Sequence, residues 1–265
     1  MTAYRLVQVD AFADRPFTGN PAAVVPLEQW LPDEILQAIA EENNLAETAF
    51  TVPAQDGDAD YELRWFTPTT EVALCGHATL ASGFVLIEGD EIRFRTRKAG
   101  ILTVRRKGEA LELDLPATLV RKGEDAALLQ ALGTAQAEVF ASYHGAEATS
   151  IVLVEDEAAV RACAPDMRAL RGIDLMAIVT AAADPGRAYD VASRVFVPAW
   201  GVDEDPVTGS AHAALAPFWA ERLGRDAFTA FQASRRGGIV ECRVEGERAI
   251  LGGRCVKVIE GTLFV

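Results

Sequence analysis

The sequence predicts a protein of two similar halves, each mixing strands with helices, and three observations lead there. First, a motif recurs: Phe66 to Ala81 (FTPTTEVALCGHATLA) is answered by Phe196 to Ala216 (FVPAWGVDEDPVTGSAHAALA). Both run Phe-x-Pro, then Gly-polar-Ala, then Leu-Ala in an apolar stretch. Second, neighbouring residues repeat in the same order. Arg64-Trp65-Phe66 meets Arg194-Val195-Phe196 at an offset of 130, Gly76-His77-Ala78 meets Gly209-Ser210-Ala211 at 133, and Arg97-Lys98-Ala99-Gly100-Ile101 meets Arg235-Arg236-Gly237-Gly238-Ile239 at 138. An offset that grows only by small insertions marks a tandem duplication, not a short-period solenoid. Third, 265 residues accommodate two domains, and 50% hydrophobic with 24% charged residues supply a core for each.

Taken in order, the first half opens with a strand at 6–9 and the punctuated loop Arg15-Pro16-Phe17-Thr18-Gly19-Asn20-Pro21, followed by a strand at 22–27. Gly19-Asn20-Pro21 is a tight-turn signal that also offers Asn20 to a ligand. Pro32-Asp33-Glu34 opens a helix to about Asn43, with acids in its first turn where the dipole favours them and Ile35, Leu36 and Ile39 on one face. Residues 45–52 form an apolar strand holding one carboxylate, Glu47, and the 130 offset places Glu47 over Ala177. Arg64–Phe66 is strand, and residues 76–88 read as a helix apolar almost all round, hence buried. Strands at 91–95, 101–105 and 110–115 complete the half. Pro116 closes it, and 117–123 read as the linker. The expected domains are therefore 1–116 and 117–265.

The second half repeats the alternation with a helix at 126–132, a strand at 151–154, a helix over 158–170 and a strand at 176–180. The counterpart helix spans 209–223, where Pro217 removes an interior hydrogen bond and predicts a kink or break. Strands at 239–244, 249–251 and 256–259 end the chain.

Composition narrows the function. Asp and Glu total 39 against 25 Lys and Arg, a net charge of −14 that repels nucleic-acid backbones and anionic membrane surfaces. The basic residues from Arg93 to Arg106 alternate as on a solvated sheet face. Cys75, Cys163, Cys242 and Cys255 form no C-x-x-C pair, and with three histidines there is no recognisable zinc set, so no metal is expected and reduced thiols in the cytoplasm are. No export leader or membrane span is read. No G-x-G-x-x-G and no G-K-[ST] occurs, so no nucleotide cofactor is indicated.

Two buried helices that each begin at a glycine, Gly76 and Gly209, present backbone N–H groups and positive dipole ends suited to a carboxylate or a developing oxyanion. Related by the duplication, they are expected to face each other across a cleft holding a small anionic substrate. Glu47, His77, Asp205 and Ser210 form a set suited to moving protons. Each also has a structural reading. A strand glutamate flanked by apolar residues either faces solvent at an edge or works in a cleft, His77 and Ser210 sit where helix-start residues cap, and Asp203-Glu204-Asp205 reads as an acidic turn in which Asp205, held extended before Pro206, is the most directed. His144 is assigned no role, and His212 is a second candidate. Cys75 and Thr208 occupy equivalent places before the two glycines. Two thiols there would suggest a two-base racemase; with one, Cys75 reads as a small buried side chain.

On these residues the chain resembles the PhzF-like family of phenazine-biosynthesis isomerases, which are similar in fold to diaminopimelate epimerase. The resemblance rests on Val9-Asp10-Ala11-Phe12 with Gly19-Asn20-Pro21-Ala22, Asn44-Leu45-Ala46-Glu47-Thr48, Arg64-Trp65-Phe66-Thr67-Pro68 with Glu71 and Cys75-Gly76-His77-Ala78-Thr79, and Glu204-Asp205-Pro206-Val207-Thr208-Gly209-Ser210-Ala211. It implies an α+β fold of two pseudo-symmetric domains, each a mostly antiparallel sheet wrapped around a central helix, with the active site between them, no cofactor and a homodimer. It also implies Glu47, His77, Asp205 and Ser210 as catalytic residues, with Gly76, Gly209 and Asn20 binding substrate. The implied reaction isomerises a double bond in a carboxylated dihydroaromatic acid such as trans-2,3-dihydro-3-hydroxyanthranilate. The alternatives are an amino-acid racemase or epimerase using Cys75, which Thr208 weakens, and a non-catalytic small-anion binder, which the presence of Glu47 and His77 weakens.

Overall fold

A computed structural model describes residues 1–55, 57–134, 136–142 and 148–265. His144 lies outside the described residues. The chain divides into two compact units, Met1–Asp114 with Gly252–Val265, and Leu115–Leu251. The last residues therefore lie with the first unit, where the tandem reading had placed them with the second half.

The first unit contains β1 (Ala3–Ala11), β2 (Asn20–Pro26), α1 (Asp33–Asn43), β3 (Glu47–Pro53), β4 (Tyr61–Phe66), β5 (Glu71–Val72), α2 (Gly76–Leu86), β6 (Glu91–Thr96), β7 (Ile101–Lys107) and β8 (Ala110–Pro116). The second has β9 (Val120–Gly123), α3 (Ala126–Leu132), β10 (Glu138–Ser142), β11 (Thr149–Leu153), α4 (Glu157–Ala162), α5 (Met167–Leu170), β12 (Met176–Ala182), β13 (Val191–Val197), β14 (Val202–Asp205), α6 (Gly209–Leu223), β15 (Ala227–Gln232) and β16 (Gly238–Glu245). After β17 (Arg248–Gly253), β18 (Cys255–Phe264) completes the first unit by pairing antiparallel with β1.

Within the first unit the sheet runs β18-β1-β2-β3-β4-β6-β7-β8, antiparallel except for the β2–β3 and β4–β6 pairs, with β5 beside β4. Helix α2 packs against β1, β2, β3, β7 and β18, so strands from both ends of the sheet close on it. Its residues from Gly76 to Gly83 are all buried, as an all-round apolar helix requires. Gly83 permits the closest approach, since a Cβ there would stand 2.6 Å from Val104 Cγ1. Helix α1 covers the other face with Leu36, Ile39 and Ala40 against Val25, Phe50 and Phe66, and it ends at Asn44 in the left-handed conformation.

The second unit repeats this plan as β9-β10-β11-β12-β13-β15-β16, with parallel β11–β12 and β13–β15 pairs, β14 beside β13, and α6 against β11 and β16. Four differences from the sequence reading have local causes. The helix expected over 158–170 is two helices, because Cys163-Ala164-Pro165 lies between them and the residue before a proline avoids helical geometry. Pro217 does not break α6: the carbonyl of Ala213 that its missing N–H leaves open accepts from Thr118 N at 3.0 Å. Residues 117–123 are accordingly no linker, since Thr118 mends α6 and Val120–Gly123 pairs with β10. Glu204 is no solvated turn residue either, being held in β14 by Arg194.

Candidate active site

Glu47 is the first residue of β3 and His77 the second of α2, and the fold brings them together inside the first unit. Glu47 Oε2 lies 3.0 Å from His77 Nε2, with the glutamate side chain 17% exposed and the histidine 4%. Neither atom has a hydrogen bond of good geometry, so the contact is an ion-pair approach whose alignment is incomplete. On the other side of the ring, Asn20 Nδ2 lies 3.1 Å and Cys75 Sγ 3.5 Å from Nδ1. Asn20 reaches the ring because Gly19 turns the chain at φ +64°, where a Cβ would stand 2.1 Å from the Ala11 carbonyl oxygen. Asn20 is wholly buried, so its amide serves the histidine from within the unit.

Burial opposes a charge on His77, but its contacts with Cys75 and Glu47 work the other way, and the balance holds the imidazole well above the usual histidine range. The Cys75 thiol is itself pushed up to about 11, by burial first and by Glu47 second. At neutral pH the thiol is thus protonated. Glu47, Cys75 and His77 also offer oxygen, sulfur and nitrogen donors within 4.8 Å of one another. Their closest approaches are to opposite ring nitrogens, which suits a proton relay better than one shared ion.

The other expected residues lie in the second unit. The Asp205 carboxylate is bonded by the Thr208 hydroxyl, and the Ser210 hydroxyl lies 3.9 Å from Met176 Sδ. Gln232, fully buried at the end of β15, organises this turn: its Nε2 donates to Asp205 O at 2.7 Å and Thr208 Oγ1 at 3.2 Å, while its Oε1 accepts from Thr208 N at 2.9 Å. Sequence reading missed Gln232 and Met176. Gln232 ends the alternating run AFTAFQ with a polar residue in register with buried ones, the one signal that could have found it.

The amino ends of α2 and α6 differ from those of the short helices. Asp125, Asp156 and Asp166 cap α3, α4 and α5 through their carboxylates, whereas Cys75 and Thr208 give no side-chain cap and no acid occupies either first turn. The dipole ends at Gly76 and Gly209 are therefore not capped by a side chain of their own helix start.

Two curled sheets, each closed on a central helix, make this an α+β protein of the diaminopimelate epimerase type. A family model described as "Phenazine biosynthesis-like protein" (PhzC-PhzF) matches residues 9–261, and the chain belongs to that family. It is 49% identical to an "uncharacterized isomerase" of Pseudomonas aeruginosa over 98% of both chains. A crystal structure of a PhzF-family phenazine biosynthesis protein from Enterococcus faecalis superposes with a TM-score of 0.90 at 41% identity, covering 100% of each chain. A hydroxyproline epimerase from Agrobacterium vitis, at 15% identity and a TM-score of 0.61 over 98% of this chain and 92% of its own, shares the fold.

Proposed function

We propose that the chain is an isomerase that moves a proton between two carbons of a small carboxylated substrate of the dihydroaromatic type, with Glu47 as the proton carrier. The observation that carries this reading is the carboxylate–imidazole contact at 3.0 Å beside an uncapped helix end. The isomerase and phenazine-biosynthesis descriptions of its relatives support it.

In the proposed reaction Glu47 takes a proton from a substrate carbon, becomes a neutral acid and returns the proton to a second carbon, so that a double bond shifts and nothing is gained or lost overall. His77, with a ring nitrogen at Glu47 Oε2, supports the carboxylate between the two transfers. The N–H groups at the start of α2 bind the substrate carboxylate or the negative charge that develops on deprotonation. In the second unit Thr208, Gln232 and Met176 order Asp205 and Ser210, the residues that the family resemblance assigns to the same chemistry. Acid–base catalysis of this kind supplies about 10²–10⁴-fold. A thiol base at Cys75 is disfavoured because that thiol is pushed up to about 11 and Thr208 stands at its repeat-related position.

The test is turnover followed by proton NMR with trans-2,3-dihydro-3-hydroxyanthranilate and, separately, a panel of amino acids. Consumption of the dihydroaromatic acid supports the isomerase reading. Exchange confined to an amino-acid α-carbon transfers the protein to the epimerases, and inertness toward both rules out the substrate class proposed.

A further inference from the structure

Both groups that meet His77 on its Nδ1 side are hydrogen-bond donors as they stand. Asn20 turns its Nδ2 to that nitrogen at 3.1 Å, and the Cys75 sulfur lies 3.5 Å away. A protonated thiol has an S–H to give and, like the amide NH₂, asks Nδ1 for a lone pair. On the opposite side Glu47 Oε2 at 3.0 Å can only accept while it is ionised, and so asks Nε2 for a proton. The three neighbours agree on one tautomer.

We propose that Asn20 is a positioning residue that holds His77 with its proton on Nε2, so that the imidazole turns an N–H and not a lone pair toward the proton carrier and cannot act as a second base on that side. The surroundings suit this role, because Asn20 is fully buried and His77 is 3% exposed, so water does not compete for the amide or the ring. When the ring takes a second proton it enters at Nδ1, and the amide answers by turning its carbonyl oxygen to the ring, leaving Nε2–H where it was. Asn20 thus keeps the face toward Glu47 the same in both charge states. The functional part of this inference rests on the isomerase reading; the tautomer itself does not.

The experiment is long-range ¹H–¹⁵N NMR of His77 in wild-type protein labelled with ¹⁵N-histidine, recorded above the pH at which the ring titrates. The expected spectrum has a pyrrole-like Nε2 and a pyridine-like Nδ1. The reverse pattern means that Asn20 accepts from Nδ1–H instead, and it overturns the proposal whatever the substrate proves to be. One variant tests the contact itself: Asn20→Asp replaces the donor with an anion that demands a proton on Nδ1, so the ring should stay doubly protonated to a pH about 1–3 units higher. An unchanged titration in folded Asn20→Asp contradicts contact between residue 20 and Nδ1.

Discussion

The two units carry the same scaffold with different chemistry, and the strand registers show where they part. Thr48 pairs with Phe66 in one unit and Ala177 with Phe196 in the other, so the residue standing where Glu47 stands is Met176, each being the first of its strand. The constant offset of 130 had placed Ala177 there; the register shows that the second unit has one residue more than the first between these strands and the Arg-x-Phe segment. Ser210 occupies the place of His77. The contact between Glu47 and His77 in the first unit thus becomes that between Met176 Sδ and Ser210 Oγ in the second. What surrounds the pair is preserved. Arg64 grips Glu71 at 2.8 and 2.9 Å and lies 4.9 Å from the Phe66 ring, and Arg194 grips Glu204 at 2.7 and 3.0 Å at the same distance from Phe196. The bidentate pair fixes the strand that leads into each central helix. One turn into that helix, Thr79 Oγ1 bonds the Cys75 carbonyl and His212 Nδ1 bonds that of Thr208. Scaffold positions held their chemistry after duplication, and the carboxylate–imidazole pair of the first unit is replaced by a thioether and a hydroxyl in the second.

The sharpest way to break this comparison is to remove the carrier. Glu47→Gln should lower kcat by about 10²–10⁴-fold with an unchanged urea midpoint, whereas Met176→Leu at the matching register should leave kcat within a factor of a few. Equal losses in a turnover assay would mean that the second unit does chemistry as well. Next in size are the scaffold arginines. Arg64→Met removes the buried partner of Glu71 and Asp33, which keep only Arg97, and should lower the urea midpoint clearly, because the Arg64 side chain is 2% exposed and its packing is lost with it. Arg194→Met, with 15% exposure, should cost less in the same urea titration.

Acid titration sharpens the contrast between Thr79 and His212. Burial holds His212 down at about 4, opposed by its bond to the Thr208 carbonyl. Its unfolded value is about 6.5. Between those values the unfolded chain binds the additional proton, so stability is fully present above about 6.5 and falls as pH drops toward 4, by at most roughly 1.4 kcal/mol per pH unit. His77, held above its ordinary value, acts in the opposite sense and loses its contribution as pH rises above about 6.5, so the two windows separate. His212→Thr copies the first unit and should flatten the acid slope measured by urea unfolding from pH 6.5 to 4.5; an unaltered slope would show that His212 is not the titrating group. The smallest effect belongs to Cys75→Ala. It should cost about 1 kcal/mol and leave turnover near wild type, and a loss as deep as that of Glu47→Gln would restore the thiol to the chemistry.

Much of this was legible before any coordinates. Glu47 stood out because nothing about an apolar strand calls for a carboxylate, and the paired glycines at 76 and 209 announced two buried helix starts. Other features could not be read, because they depend on partners far along the chain. Pro217 looks like a helix breaker until Thr118 supplies the missing hydrogen bond. Glu204 looks like a solvated turn residue until Arg194 is placed beside it, and the run AFTAFQ marks Gln232 as buried without showing that it binds the turn from Asp205 to Thr208. The return of β18 to pair with β1 is likewise a long-range event that no periodicity encodes.

The proposed chemistry stands or falls on Glu47 as the proton carrier. The most direct measurement is turnover of the dihydroaromatic acid in deuterated water by wild type and by Glu47→Gln, with deuterium located in the product by NMR. Product with wild type, carrying deuterium at the newly protonated carbon to the extent that the Glu47 carboxyl exchanges with solvent before returning its proton, and neither product nor exchange with the variant, is the predicted result. Label entering at the same rate in both proteins would contradict it.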